Sequence, residues 1–168
     1  MTTPPPDTPA VPSPPGDTPG PLAEWADRVV ATLLDFIIIL GIYIVVWVAG
    51  SIIGVVSDVL RVLVQTLGYL AGTVYGLYLG YLEGTRGQSP GKAIQGLKVV
   101  RASDGGLVGG GLGVVRRIAH VVDAVICYIG FLFPLWDPKK QTIADKLLET
   151  VVLKDQEKRP LGPDIFLP

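Results

Sequence analysis

The sequence predicts an all-α membrane protein with two transmembrane helices, a third helix that spans or re-enters the membrane, and a small cytoplasmic strand pair. Of its 168 residues, 49% are hydrophobic and 17% are charged, whereas a soluble domain carries about 25% charged residues. Residues 36–57 and 62–82 contain no charged side chain, and about 20 apolar residues are enough to cross a bilayer core. A third apolar segment covers residues 118–136.

The chain divides into a tail, a membrane domain and a second tail. Residues 1–21 hold nine of the fifteen prolines, so we expect a disordered, extended segment that buries little surface. It is either a flexible tail or a docking peptide for a proline-reading partner, and its lack of a basic start excludes a signal peptide. The membrane domain is predicted over residues 22–155, followed by a tail over 156–168. Its helices are expected at about 28–57, 62–82 and 114–136.

The charges indicate an orientation. Residues 83–117 carry six basic and two acidic side chains, which places this loop and the N-terminus in the cytoplasm by the positive-inside rule. Residues 97–102 and 150–153 have strand-like composition. If they pair, both lie on one side of the membrane. We expect a simple third span, and the alternative is a re-entrant helix kinked at Gly130 or Pro134.

Ionisable residues within the apolar segments form a candidate intramembrane polar site. Arg28 and Asp35 lie seven residues apart, on one helix face and separated by about 10 Å of rise. Arg28 is therefore expected to reach Asp123, a phospholipid phosphate or a water. The spacing recurs in Arg116 and Asp123. Arg116 and its neighbour Arg117 are interpreted as interfacial anchors.

Two further residues belong to this candidate site. His120 lies three residues before Asp123, and the pair is either a proton relay or an interfacial histidine with one satisfied hydrogen bond. Tyr75 is expected at the depth of both aspartates, where its phenol could donate to a carboxylate or pack in the core. A buried carboxylate costs a few kcal/mol. We therefore expect Asp35→Leu to be tolerated for insertion and packing, and Asp35→Asn to harm function more than folding.

Glycines recur every four residues in the second helix. Gly68, Gly72, Gly76 and Gly80, continued by Gly84, form overlapping GxxxG units, which allow another helix backbone to approach closely. The partner helix lies within the chain or in a second protomer. The expected partners are accordingly the lipid bilayer and either a second copy or another membrane protein.

Other function classes are disfavoured. One cysteine and one histidine argue against a disulfide framework and a metal cluster. A net charge of −1 gives no general attraction to nucleic acid. The sequence contains no Walker motif, HExxH or CxxC, so we expect a non-enzymatic protein without metal or cofactor.

Several motifs together resemble the RDD family of bacterial membrane proteins, and the proline-rich start resembles its actinobacterial members. The resemblance covers roughly residues 22–155. It rests on Arg28, Asp35, Ser89–Lys92, Gly96–Val100, Asp104–Gly105, Asp145–Leu147 and Thr150–Val152. The family is named for one arginine and two aspartates, and the second aspartate corresponds to Asp123 or Asp145.

The resemblance implies a multi-pass protein of the cell membrane and, for some members, transport of small solutes or cations. One hypothesis is therefore transport of a small solute, cation or proton through the Arg/Asp site, in an oligomer. The alternative is a membrane anchor or adaptor that presents the proline-rich tail and the basic loop to partners.

Overall fold

The computed structural model describes residues 18–168, and it is mostly helical with one small antiparallel sheet, as predicted. Residues 1–17 of the predicted proline-rich tail lie outside the described residues. Two helices are long and apolar enough to cross a membrane, α1 (Trp25–Gly54) and α2 (Asp58–Arg86). They pack against each other as a hairpin joined by residues 55–57.

α1 begins earlier and α2 ends later than the sequence predicts, and both differences lie where the charged residues are. α1 begins at Trp25 rather than near residue 28. α2 begins after Ser57, whose hydroxyl accepts the Leu60 N–H, and continues past the buried Glu83 to a left-handed Gly87 with φ of 82°. A left-handed glycine at this position is a common helix terminator. The prediction ended α2 at the last residue before the charged Glu83, which is about one turn too early.

The first glycines of α2 lie against α1 within the same chain. A Cβ atom added at Gly68 would lie 2.2 Å from Val46, and one at Gly72 would lie 2.4 Å from Tyr43. Both contacts are with side chains of α1. Gly76, in contrast, has no atom within 4 Å of such a Cβ among residues 18–168. The glycine series therefore packs inside the protomer at these positions, and Gly76 contributes no close contact there.

The later glycines of α2 cross α4 (Gly110–Val125) backbone to backbone. A Cβ at Gly84 would lie 2.1 Å from the carbonyl oxygen of Gly109, and one at Gly80 would lie 2.8 Å from that of Gly113. The Gly109 N–H also donates to the Gly84 carbonyl at 2.9 Å. This crossing fixes the start of α4 against the end of α2.

Gly84→Ala is expected to destabilise the protein by about 1–3 kcal/mol, because the methyl group overlaps a backbone oxygen that can move only with the whole of α4. The measurement is thermal unfolding in a mild detergent. Gly76→Ala is the matched control on the same helix and should be neutral or slightly stabilising, since its methyl group enters open space. Equal melting temperatures of the two variants would contradict the tight crossing.

The third apolar segment is not a simple span, and this expectation is wrong. α4 is followed by α5 (Ile129–Leu132) and a 3-10 turn over Phe133–Leu135. The chain bends by 105° between α4 and this second helical piece, residues Ile129–Leu135. The bend lies at Cys127 and Tyr128, whose φ values of 52° and 62° end the helix, and not at Gly130 or Pro134. Gly130 has another role, because a Cβ there would lie 2.3 Å from Asp123. α5 therefore folds back onto α4.

Four short elements form what we call the sheet layer: α3 (Pro90–Gln95), β1 (Lys98–Arg101), α6 (Ile143–Leu147) and β2 (Thr150–Leu153). The two strands pair antiparallel, with Val99 opposite Val152. These valines pack with Ala23, Ala31 and Leu97 in a small buried core.

The sheet brings together both flanks of the bent segment. β1 precedes α4 and β2 follows α5, and the strands are neighbours. The chain therefore leaves the sheet layer into the bent segment and returns to the same layer. A helix pair that bends by 105° and returns in this way has the shape of a re-entrant loop.

The C-terminal residues 156–168 fold against the helices. The Arg86 guanidinium donates to the carbonyl oxygens of Asp164, Ile165 and Leu167, and Ile165 is fully buried. The Tyr78 hydroxyl donates to the Phe166 carbonyl at 2.7 Å. The end of the chain therefore covers the junction between α2 and the sheet layer.

Candidate functional site

A network of buried charges joins the helices to the sheet layer, and Arg116 of α4 is at its centre. Its side chain donates from Nη1 to Glu83 Oε2 at 2.8 Å, and from Nη2 and Nε to Asp145 Oδ1 at 2.5 and 2.9 Å. The residue is 3% exposed. Because both carboxylates contact a single guanidinium, α2, α4 and α6 are held at one point.

Glu83 gathers three cations at the end of α2. Besides Arg116, Lys92 Nζ of α3 lies 2.6 Å from Oε1, and Arg117 Nη1 lies 3.5 Å from the same oxygen. The carboxylate is fully buried. A buried charge of this kind is tolerated only with several partners, so α3 and α4 are both held to α2 through Glu83.

Asp145 connects the two arginines of the repeated sequence pattern. Its Oδ1 accepts from Arg116, and its Oδ2 accepts from Arg28 Nη1 at 2.8 Å. Burial opposes ionisation, but the charges of Arg116 and Arg28 outweigh it and hold the pKa of Asp145 well below its ordinary value. Asp145 also forms a capping box with Thr142 at the start of α6. The carboxylate is therefore a structural link between α1, α4 and α6.

The other two aspartates bind the sheet layer through backbone N–H groups. Asp35 accepts from the Gly91 N–H at 2.7 Å and from the Ser89 hydroxyl at 2.6 Å, at the start of α3. Asp123 accepts from the Ile143 N–H at 3.0 Å, at the start of α6. Negative charge is favoured at a helix N-terminus. Each aspartate therefore fixes one short helix of the sheet layer.

The repeated sequence pattern thus has a structural counterpart. Arg28 and Arg116 bind opposite oxygens of Asp145, whereas the aspartates seven residues after them, Asp35 and Asp123, bind the first turns of α3 and α6. Each of those helices also starts with a hydroxyl cap, from Ser89 and Thr142 respectively. The two halves of the site are built alike.

A cavity of about 460 Å³ lies beside this network. Its lining includes four cationic side chains and one carboxylate, Arg28, Lys92, Arg116, Arg117 and Glu83, together with apolar and aromatic side chains, among them Trp25, Leu33, Tyr128, Phe131 and Pro134. The Trp25 indole N–H donates to the Phe131 carbonyl at 2.9 Å, which joins α1 to α5 at the edge of the cavity.

Arg28 has unused donors next to the cavity. Its side chain is 11% exposed, and its Nε and Nη2 are buried without a hydrogen-bond partner in the part of the chain described, residues 18–168. These two atoms form the edge of a guanidinium that binds carboxylate or phosphate with two parallel hydrogen bonds. A buried donor without a partner is costly, so this edge suits an anionic ligand.

Comparison with known proteins identifies the family. The model of the RDD family matches residues 22–149. The chain belongs to the RDD family. It is a multi-pass membrane protein, as the family and its apolar helices together indicate.

Curated relatives of this RDD-family chain occur in mycobacteria. It is 37% identical over 146 residues to the proline-rich antigen homolog of Mycobacterium tuberculosis, covering 76% of this chain and 61% of the relative. It is 38% identical over 148 residues to the proline-rich antigen of Mycobacterium leprae, covering 77% and 59%. The chain thus spans about three fifths of these relatives' length. No solved structure matches it.

Not all of the residues predicted for this RDD-family site come together. The sequence predicts that Arg28 reaches Asp123, a phospholipid phosphate or a water, whereas in the structure it binds Asp145. Asp35 and Asp123 share no hydrogen-bond partner among residues 18–168. His120 does contact Asp123, with Nδ1 2.7 Å from Oδ2.

Of the two roles left open for Tyr75, the carboxylate contact is not made within residues 18–168. Its hydroxyl is buried and has no hydrogen-bond partner among the described residues 18–168. The ring lies 6.4 Å from that of Tyr78 on the same helix. The structure therefore places this phenol in packing contacts.

The central residues of the network were not predicted. Arg116 was expected as an interfacial anchor, but it is almost fully buried between two carboxylates. In the sequence, Glu83 is predicted only as an acidic charge of the loop, and Lys92 as one of its basic charges and as part of the Ser89–Lys92 motif. Two signals were present in the sequence: the match of Arg116 to Arg28, and the single acid directly after an uncharged glycine-rich helix.

Proposed function

We propose that this RDD-family membrane protein is a transport-type protein that binds a small anionic solute at the Arg28 cavity. The observation that carries the proposal is the unpartnered Nε/Nη2 edge of Arg28 beside a cavity lined by four cations. The positive-inside rule and the six basic residues of 83–117 support a cytoplasmic position for this cavity.

The carboxylates of the site already have partners within the chain. This favours an anionic solute over the cation or proton inferred from the sequence. Both oxygens of Asp35, Glu83, Asp123 and Asp145 already accept hydrogen bonds or ion pairs. A bound cation needs free oxygen ligands. No group of three histidine, cysteine or acidic residues within 18–168 is arranged to hold a metal ion.

Transport through this fold needs more than one chain. Because residues 18–168 supply two long helices and one bent segment, which are too few to surround a pathway, the proposal includes a homo-oligomer or a membrane-protein partner. α2 offers a surface for this contact, since the position of Gly76 is open and the large apolar side chains of both long helices are exposed.

The test is uptake by proteoliposomes containing the full chain. The solutes are labelled inorganic phosphate, butyl phosphate, octyl phosphate and Na⁺. We expect uptake of at least one of the phosphates above protein-free liposomes, with Na⁺ unchanged. Arg28→Lys keeps the charge beside Asp145 but loses the planar edge, and should reduce this uptake at least tenfold. Uptake of Na⁺ alone, or of none of the solutes, would overturn the transport proposal.

The adaptor alternative depends on other residues. Lys92 and Arg116 of the basic loop are buried in ion pairs, so they give little support to a basic docking surface. The proline-rich residues 1–17 are the remaining element of that proposal. Deleting them should leave phosphate uptake unchanged if the cavity is the functional site, and should abolish partner binding if the chain is an adaptor.

A further inference from the structure

The cavity connects the charged network to the tip of the bent segment. Lys92, Thr142 and Val152 line it from the sheet layer, and Tyr128 and Phe131 line it from the bend between α4 and α5. In a re-entrant segment, the bend is the part that reaches farthest from the layer to which both flanks return. The cavity is lined by charged side chains of the network and by apolar side chains of α1 and the bent segment.

Two residues of the apolar wall also belong to the outer surface of the helices. Leu33 is 53% exposed and Tyr128 is 67% exposed, and both line the cavity. On α1, the neighbouring Phe36 and Ile37 continue the same exposed apolar surface. A surface of this composition on a membrane helix faces lipid, so the cavity is open sideways to the bilayer.

The cationic side chains that line the cavity provide a site for one anionic head group. Nη1 of Arg28 is bound to Asp145, while Nε and Nη2 are buried and have no partner within the described residues. Because Arg28 lines the cavity, a ligand reaches these two atoms if the guanidinium turns about its contact with Asp145. Lys92, Arg116 and Arg117 line the same cavity and each pairs with Glu83.

We infer that the cavity takes an anionic amphiphile, whose phosphate or carboxylate is bound by the Nε/Nη2 edge of Arg28 and whose hydrocarbon tail lies along Leu33, Phe131 and Tyr128. The ligand enters from the bilayer, between α1 and the bend after α4. This inference rests on the anion-binding part of the proposed function. It adds that a tail is required for tight binding.

The experiment measures ligand binding to the full chain in phosphatidylcholine nanodiscs, by thermal unfolding and native mass spectrometry. The probes are inorganic phosphate, butyl phosphate, octyl phosphate and the uncharged octyl glucoside. A tail buried in the cavity should strengthen binding by about fourfold per added CH₂ group. We therefore expect octyl phosphate to bind at least tenfold more tightly than inorganic phosphate, and octyl glucoside to give no shift.

Two arginine variants separate specific binding from partition into the lipid. Arg28→Lys should weaken octyl phosphate binding at least tenfold. Arg101→Lys is the matched control, because Arg101 forms an exposed ion pair with Asp104 away from the cavity; it should bind as the wild type does. Equal loss in both variants, or equal stabilisation by octyl glucoside, would overturn the inference.

Nanodiscs that contain phosphatidylglycerol distinguish the source of the head group. If a bilayer lipid is the occupant, phosphatidylglycerol stabilises the wild type more than Arg28→Lys and competes with octyl phosphate. If a single-chain amphiphile is the occupant, octyl phosphate stabilises the wild type more than Arg28→Lys, and phosphatidylglycerol does not. Either of these two results supports the inference. Binding of inorganic phosphate as tight as that of octyl phosphate overturns it and leaves anion transport standing. Arg28-dependent binding without uptake supports it and overturns transport.

Discussion

Asp145→Asn is expected to destabilise the protein by about 3–5 kcal/mol. The change removes the carboxylate charge that both Arg28 and Arg116 contact and leaves two buried guanidinium groups facing one neutral amide. Breaking a buried ion pair from one side carries this cost because the remaining charge is not solvated. The measurement is thermal or denaturant unfolding of the full chain in detergent.

Asp104→Asn is the matched control for Asp145→Asn. Asp104 pairs with Arg101 on the surface, and an exposed pair of this kind contributes about 0–1 kcal/mol. If both variants unfold like the wild type, Asp145 does not hold the helices together.

The dependence of folding stability on pH provides a second check on the structural role of Asp145. Because its pKa is lowered in the folded protein, the ionised form stabilises the fold at pH values above the unfolded pKa of about 3.9. This contribution is lost as the pH falls from there through the folded pKa. The difference in stability between the wild type and Asp145→Asn should therefore shrink below about pH 4. A difference that grows on acidification would contradict the assignment.

Asp35→Leu is expected to destabilise the fold, contrary to the expectation from the sequence that leucine is tolerated. The carboxylate accepts from the Ser89 hydroxyl and the Gly91 N–H, and leucine leaves both buried donors without an acceptor. Each such donor costs about 1–3 kcal/mol, which exceeds the gain from removing a buried charge that is already well bonded. The measurement is again thermal unfolding in detergent, together with protease sensitivity of the segment around α3.

Asp35→Asn is the control for the acceptor role of Asp35. Asparagine retains one carbonyl oxygen for the Gly91 N–H, so it should lose less stability than leucine does. An Asp35→Leu variant as stable as the wild type, with α3 still protected from protease, would show that Asp35 does not fix α3. That result would support the hypothesis from the sequence that Asp35 serves transport rather than folding.

The two long helices could be predicted from the sequence because their signal is local. An uncharged run of about 20 residues meets the length requirement of the bilayer whatever its neighbours are. The strand pair was predictable for a similar reason, since Leu97–Ala102 and Thr150–Leu153 carry strand-forming residues bounded by turns. The exact helix ends, the bent form of the third segment with its bend at Cys127–Tyr128, and the short helices α3 and α6 were missed.

The polar site depended on contacts that no local pattern contains. Arg28 and Asp145 are 117 residues apart, and Glu83 and Arg116 are 33 apart. The repeated spacing of Arg28 to Asp35 and Arg116 to Asp123 did reveal which residues matter. It could not reveal that the arginines share Asp145, because that depends on how α1, α4 and α6 pack.

The separation of 117 residues between Arg28 and its carboxylate also sets the order of biogenesis. The ribosome adds about 5–20 residues per second, so α1 leaves it on the order of 10 s before Asp145 has been made. Until Asp145 has been made, the Arg28 guanidinium lacks its partner in the finished fold and is solvated by water or paired with a lipid phosphate. A chain truncated before residue 145 therefore lacks the carboxylate that joins α1 to α4 and α6.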